Sequence, residues 1–160
     1  MEKVMVADLT NPLHAQAVVE LLNEYAKDAM GGGTALADAV KDNLVSELRK
    51  RPHIFAVLAF SDDKPAGLAI CMEGFSTFAC MPLINIHDLV VAPAFRGRGL
   101  SHKILQTIEV LAKSRHCCKL TLEVLEGNKI AQNAYRAFGF EGYQLNPETG
   151  RALFWQKNLL

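Results

Sequence analysis

Residues 84–101 read INIHDLVVAPAFRGRGLS, and most of the groups able to do chemistry are crowded into this stretch. His87 and Asp88 interrupt an apolar, β-branched run. Buried polar side chains in a central strand are costly unless paired or functional, so the two are candidate proton acceptors, with a satisfied structural histidine as the plain alternative. The run breaks at Pro93, passes Arg96-Gly97-Arg98-Gly99, and enters a helical pattern. A helix beginning near Gly99 has backbone N–H groups without intrahelical partners, and those donors and the helix dipole favour an anion. Gly97 and Gly99 permit close approach and unusual backbone angles, while Arg96 and Arg98 add charge and donors. The pattern suits a phosphate cradle. Neither the Walker pattern nor Gly-x-Gly-x-x-Gly is present, and the repeats, aromatics and basic face of an RNA-binding reading are missing.

The elements that must position these residues follow from periodicity. Lys3–Leu9 alternates as a strand; Asn11-Pro12 opens a helix with Leu13, Ala17, Leu21 and Tyr25 on one stripe. Met30–Thr34 is a flexible break, and Thr34 is placed to cap a second helix carrying Leu36, Val40, Leu44 and Leu48. Ile54–Phe60 and Ala66–Phe75 form a hairpin around residues 61–65, where turn chemistry accounts for Asp62 and Asp63 better than a carboxylate pair does. Ile84–Val91 is the next strand, Gly99–Ser114 a helix, and Lys119–Val124 a strand. Asn128–Phe138 is a short helix stopped by Gly139. Two last strands are expected at Phe140–Leu145 and Ala152–Gln156. This order predicts one α/β domain over residues 1–160, a mixed, mostly antiparallel sheet of six to seven strands with helices on both faces.

Net charge is zero, so bulk attraction to nucleic acid or an anionic membrane is not indicated. Residues 1–82 carry 11 Asp+Glu against 7 Lys+Arg, and residues 83–160 carry 6 against 10, a polarity suited to bringing a cationic ligand up to an anionic one. Glu24, Tyr25 and Asp28 could meet a cationic amine, although a solvated helix face explains them as well. Cys71, Cys80, Cys117 and Cys118 make no ligand pair or disulfide framework, and the histidines have no metal-ligand spacing. With no signal-like N-terminus or membrane-length apolar run, a cytoplasmic protein without metal, nucleic-acid partner or membrane anchor is expected; the sequence leaves room for a homodimer.

Leu89–Ser101, together with Leu122-Glu123-Val124, Asn128 and Ala134-Tyr135-Arg136-Ala137-Phe138-Gly139-Phe140, resembles the GCN5-related N-acetyltransferases. That family's phosphate turn is Gln/Arg-x-x-Gly-x-Gly/Ala; here Arg96 and Gly99 fit it and Ser101 replaces the last small residue. The resemblance implies that acetyl-CoA serves as co-substrate for transfer to a small-molecule amine. Main-chain donors from Phe95 through Arg96, Gly97, Arg98, Gly99 and Leu100 to Ser101 would hold the pyrophosphate. The main chain across Leu89, Val90 and Val91 would pair with the pantetheine arm, and Asn128 would meet the cofactor. Tyr135 would sit near the sulfur and protonate the thiolate, its alternative being core packing beside Ala131 and Phe138. His87 or Asp88 would relieve the ammonium of its proton; side-chain alternation predicts that only one faces the substrate.

The first two helices and the Gly31–Gly33 loop usually shape the acceptor pocket. Phe75-Ser76-Thr77-Phe78 and Glu148–Phe154 look like the polyamine and thialysine acetyltransferase branch, which makes Phe75 a candidate acceptor contact. That branch reads Leu-Glu-Asp where this chain has Ile86-His87-Asp88, so an anionic contact is lost. Rival readings are a protein N-terminal or lysine acetyltransferase and a non-catalytic CoA-binding regulatory module.

Overall fold

The apolar runs form the sheet. In the computed structural model, which describes residues 1–159, β1 (Glu2–Val6), β2 (Ile54–Ser61), β3 (Lys64–Ser76), β4 (Met81–Val91) and β5 (Leu120–Leu122) lie side by side in chain order. The first three pairings are antiparallel and β4–β5 is parallel. Four helices accompany them: α1 (Pro12–Lys27), α2 (Asp38–Arg49), α3 (Leu100–Ser114) and α4 (Lys129–Phe138). The fold is the mixed, mostly antiparallel α/β arrangement expected, with five strands among the described residues instead of six to seven.

The chain divides into two compact units, Met1–Leu122 and a second beginning at Glu123. In the first, strand alternation sorts the core into two layers. Ala56, Leu58, Leu68, Ile70 and Val90 pack against Ala17, Val18 and Leu21 of α1, with Leu44 and Leu48 of α2 at the margin. The opposite face carries Val57, Ala59, Ala69 and Cys71, all buried. There α3 presses Leu100, Ile104, Leu105 and Ile108 inward, so closely that a Cβ on Gly67 would lie 2.8 Å from Ile104 Cδ1. Helices cover both faces.

Local signals explain most boundaries. Asn11 caps α1, its side chain accepting from Leu13 N, and Pro12 occupies the first turn. Asp62 and Asp63 adopt φ of 47° and 61° between paired Ser61 and Lys64, a two-residue hairpin turn whose twist matches its strands. Thr34 does not cap α2. That helix starts at Asp38 with Ala37 at the cap and no side-chain bond, because Thr34 N and Leu36 N are already engaged by Ala26 O and Asn23 Oδ1 of α1.

In the second unit, α4 is capped by Asn128, whose Oδ1 accepts from Ala131 N, and is stopped by Gly139 at φ 104°. The strands expected at Phe140–Leu145 and Ala152–Gln156 are not formed. Among the described residues a single bridge, Gln144–Arg151, joins the two segments, around a turn in which Thr149 N donates to Asn146 Oδ1 and Gly150 N to Asn146 O. Tyr143, Leu145, Leu153, Phe154 and Trp155 stay exposed, and a two-stranded ribbon without a third strand or a packed face is marginal in water.

Candidate active site

Asp88 is placed by an irregularity in β4. Asp88 pairs with Ile70 and Ile86 with Cys71, so His87 is the extra residue of a β-bulge. Asp88 shares the face of Ile70 and Val90, toward α1, and the extra residue puts Ile86 with Cys71 on the α3 face. Alternation fails here, so its prediction that only one of His87 and Asp88 faces the substrate no longer follows. His87 is exposed and Asp88 is half-buried.

Burial raises the carboxyl pKa of Asp88 above the usual carboxylate range, with the neighbouring His87 pulling it partly back. Across the layer, burial raises the Tyr25 hydroxyl, and the charges of Asp88 and Asp28 push it further up. Tyr25 and Asp88 therefore share one electrostatic environment between α1 and the bulge. A partly desolvated carboxylate with a raised pKa is a better proton acceptor near neutral pH than an exposed one.

The edge of β4 beyond the bulge is open on one side. β5 pairs with Ile84, Asn85 and Ile86 only. Ala92 N donates to Ala66 O on the β3 side, so alternation turns the peptide groups of Val91 and Leu89 the other way, where no strand pairs with them among the described residues. That is the geometry of an edge ready for an added strand. Val91 O itself accepts from Arg96 Nε at 3.0 Å.

A short 3-10 turn at Pro93–Phe95 then leads into Arg96–Gly99. Gly97 and Gly99 stand at φ 77° and 74°, a region costly for side chains, and ideal Cβ atoms on either would meet no protein atom within 4 Å. Gly99 is the N-cap of the 15-residue α3 and supplies no side-chain bond. The first amides of a long helix are thus presented beneath glycines with clear space above them, which fits a diphosphate. Ser101 lies inside the first turn and does not cap it.

Both arginine side chains have partners within the protein. Arg96 Nη2 donates to Asp28 Oδ2 at 2.9 Å, and Arg98 folds back, donating to Ala94 O at 3.2 Å with its guanidinium 5.4 Å from the Phe95 ring centre. Both oxygens of Asp28 are engaged, since Oδ1 accepts from Met30 N at 2.9 Å; these bonds hold its pKa below the usual range. Glu24 pairs with Lys27 at 2.8 Å, and Phe75, opposite Pro82 near the end of β3, is 60% exposed.

In the second unit, Asn128 serves α4 as its cap, and the half-buried Tyr135 meets Phe140 edge-on with ring centres 5.9 Å apart. Cys71 is buried, its thiol pushed up to about 12 chiefly by desolvation, which makes it a core residue rather than a nucleophile. No group of metal-ligating side chains is found among the described residues.

Two features had no signal in the sequence. The bulge at His87 involves neither Gly nor Pro. The special role of Gly31 is also hidden: a Cβ there would fall 1.9 Å from Tyr25 O, so the glycine loop is packed onto the end of α1 instead of being a loose break.

The sequence pattern described as the Acetyltransferase (GNAT) family matches residues 15–140. A thialysine N-epsilon-acetyltransferase of Bos taurus is 38% identical over 56 residues, 35% of this chain and 33% of that enzyme. An aminoglycoside N(6')-acetyltransferase type 1 of Salmonella typhimurium is 24% identical over 114 residues, 69% of this chain and 74% of that enzyme. Among solved structures, an aminoglycoside acetyltransferase in complex with a CoA-linked bisubstrate analogue superposes with a TM-score of 0.75 at 19% identity, covering 99% of each chain; this likeness concerns the fold. The helix-terminal glycine turn, the half-open β4 edge and the bulge carboxylate thus sit in a chain that belongs to the acetyltransferase (GNAT) family, an N-acetyltransferase with acetyl-CoA as its acyl donor.

Proposed function

We propose that the protein acetylates a primary amine of a small cationic metabolite, of the polyamine or amino-acid kind, by direct attack of the amine on acetyl-CoA in a ternary complex. The observation that carries this reading is Asp88, a half-buried carboxylate beside the β4 bulge on the α1-facing side of the sheet, in the unit that also holds the phosphate turn. Thialysine and aminoglycosides, named for two relatives, are amines of this cationic type.

Bound acetyl-CoA supplies an activated acetyl thioester. Main-chain donors between Phe95 and Ser101 hold its diphosphate, and the outward peptide groups of Leu89 and Val91 align the arm. An alkylamine is mostly protonated at neutral pH and cannot attack until it loses that proton. Asp88 attracts the cation and, directly or through water, accepts the proton; His87 beside it can pass the proton to solvent. Tyr25 lines the acceptor side. Tyr135 is assigned the return step, donating its hydroxyl proton to the departing thiolate and recovering, through water, the second proton that the nitrogen sheds as the amide forms, a role supported by the family resemblance of its helix. The four free cysteines fit work in a reducing cytoplasm.

The test is release of free CoA thiol from acetyl-CoA, measured in parallel with spermidine, thialysine, lysine, kanamycin and a short peptide with a free N-terminus. Turnover with one of the small polycations, lowered by ~10²- to 10⁴-fold in Asp88→Asn, is expected. Turnover confined to the peptide would overturn the acceptor class, and absence of CoA binding would overturn the reaction.

A further inference from the structure

Arg96 and Asp28 lie 68 residues apart in sequence, yet each is fixed from both sides. Arg96 gives Nε to Val91 O, at the end of the strand before the phosphate turn, and Nη2 to Asp28 Oδ2. Asp28 in turn organises the glycine loop: Oδ1 accepts from Met30 N at 2.9 Å, and its carbonyl accepts from Gly31 N at 2.8 Å and Gly33 N at 3.0 Å. Gly31 rests on the backbone of Tyr25, with its missing Cβ also only 3.2 Å from Tyr25 Cδ2, so the register of the loop sets the surroundings of that ring. A planar guanidinium held by two acceptors is poorly placed to follow a mobile phosphate and well placed to transmit displacement.

We propose that Asp28 is a joint through which occupancy of the phosphate turn orders the glycine loop beside Tyr25, with Arg96 as the connecting lever and not a phosphate ligand. The inference rests on acetyl-CoA binding at that turn. An anion that fixes the amides of Gly97–Ser101 fixes the main chain of Arg96, and the ion pair carries that restraint to Asp28 and its three loop amides. The pair is part-exposed, with side-chain accessibility of 52% for Arg96 and 29% for Asp28, so the coupling is modest. Linkage makes it reciprocal: ordering of the loop by an acceptor tightens CoA by the same factor.

Hydrogen exchange of the amides of Met30, Gly31 and Gly33, with and without CoA, tests the joint in the whole protein without an identified acceptor. In the wild type CoA is expected to slow their exchange roughly two- to fivefold, the scale available from a part-exposed ion pair. Asp28→Asn keeps an oxygen for Met30 N but removes the charge, and it is expected to abolish the CoA-induced slowing. Arg96→Gln does the same by the other partner, and the double variant adds nothing further. In each, the Kd for CoA weakens by no more than the same factor. Slowing that persists in both variants, or is absent from CoA-bound wild type, overturns the joint. A much larger loss of CoA affinity in Arg96→Gln than in Asp28→Asn makes Arg96 a phosphate ligand and overturns it as well. Failure of the wild type to bind CoA instead refutes the cofactor site on which the joint depends.

Discussion

Gly99→Ala separates the strength of the phosphate turn from the stability of the fold. Gly99 stands at φ 74° with nothing within 4 Å of an ideal Cβ, so alanine meets no steric clash and the fold loses only the cost of a left-handed residue. That cost is about 1–2 kcal/mol, which for a domain of this size lowers Tm by roughly 2–8 °C. The new methyl projects into the space where a diphosphate would lie, and relaxing φ turns the first amides of α3 away. Loss of one hydrogen bond to a charged oxygen costs about 1.5–3 kcal/mol, a Kd for CoA weaker by roughly 10- to 150-fold. Gly33→Ala is the matched control, because Gly33 has φ 75° and equally open surroundings in the α1–α2 loop. It is expected to lower Tm as much while changing the Kd by less than about fivefold, the limit set by the loop's modest coupling to the turn. Thermal unfolding and isothermal calorimetry with CoA read both quantities. Equal CoA affinities for the two variants would refute a main-chain cradle at α3.

Asp88→Asn removes the proton acceptor and is expected to lower turnover by ~10²- to 10⁴-fold, while raising Tm at neutral pH. The sign follows from its raised folded-state pKa: relative to the acid form, ionised Asp88 destabilises the fold increasingly as pH rises through that pKa, and asparagine has no charge to desolvate. The pH–rate profile of the wild type should fall on the acid side above the usual carboxylate range, and that limb should vanish in the variant. Tyr135→Phe should lower turnover by roughly tenfold or more while CoA affinity measured by calorimetry stays within about twofold of wild type; unchanged turnover would return Tyr135 to a packing role. Ile104→Ala, at a fully buried position where α3 packs over Gly67, should cost about 2–5 kcal/mol in denaturant unfolding, and a smaller loss would show that α3 closes readily onto the sheet at a position where Gly67 has no room for a Cβ.

The local code of the chain determined a good deal unaided. Alternation and apolar runs fixed β2, β3 and β4; Asn11-Pro12 and Gly139 marked helix ends; and the arginine–glycine turn before an apolar helical stripe announced an open helix N-terminus. Each depends on interactions within a few residues, which is why sequence alone sufficed. The same code overreached in the segment after Gly139, where Phe140–Leu145 and Ala152–Gln156 alternate acceptably but meet in a single bridge among the described residues. Only tertiary structure decided the rest. The bulge at His87 comes from fitting β4 to β3, and it leaves Asp88 on the α1 face with Val90 while Ile86 goes to the α3 face. Nothing local pairs Arg96 with Asp28, which the end of α1 brings to it, and Gly31 reads as slack until its backbone is seen against Tyr25. Contacts between residues distant in the chain set side-chain direction and charge pairing, and no local pattern encodes them.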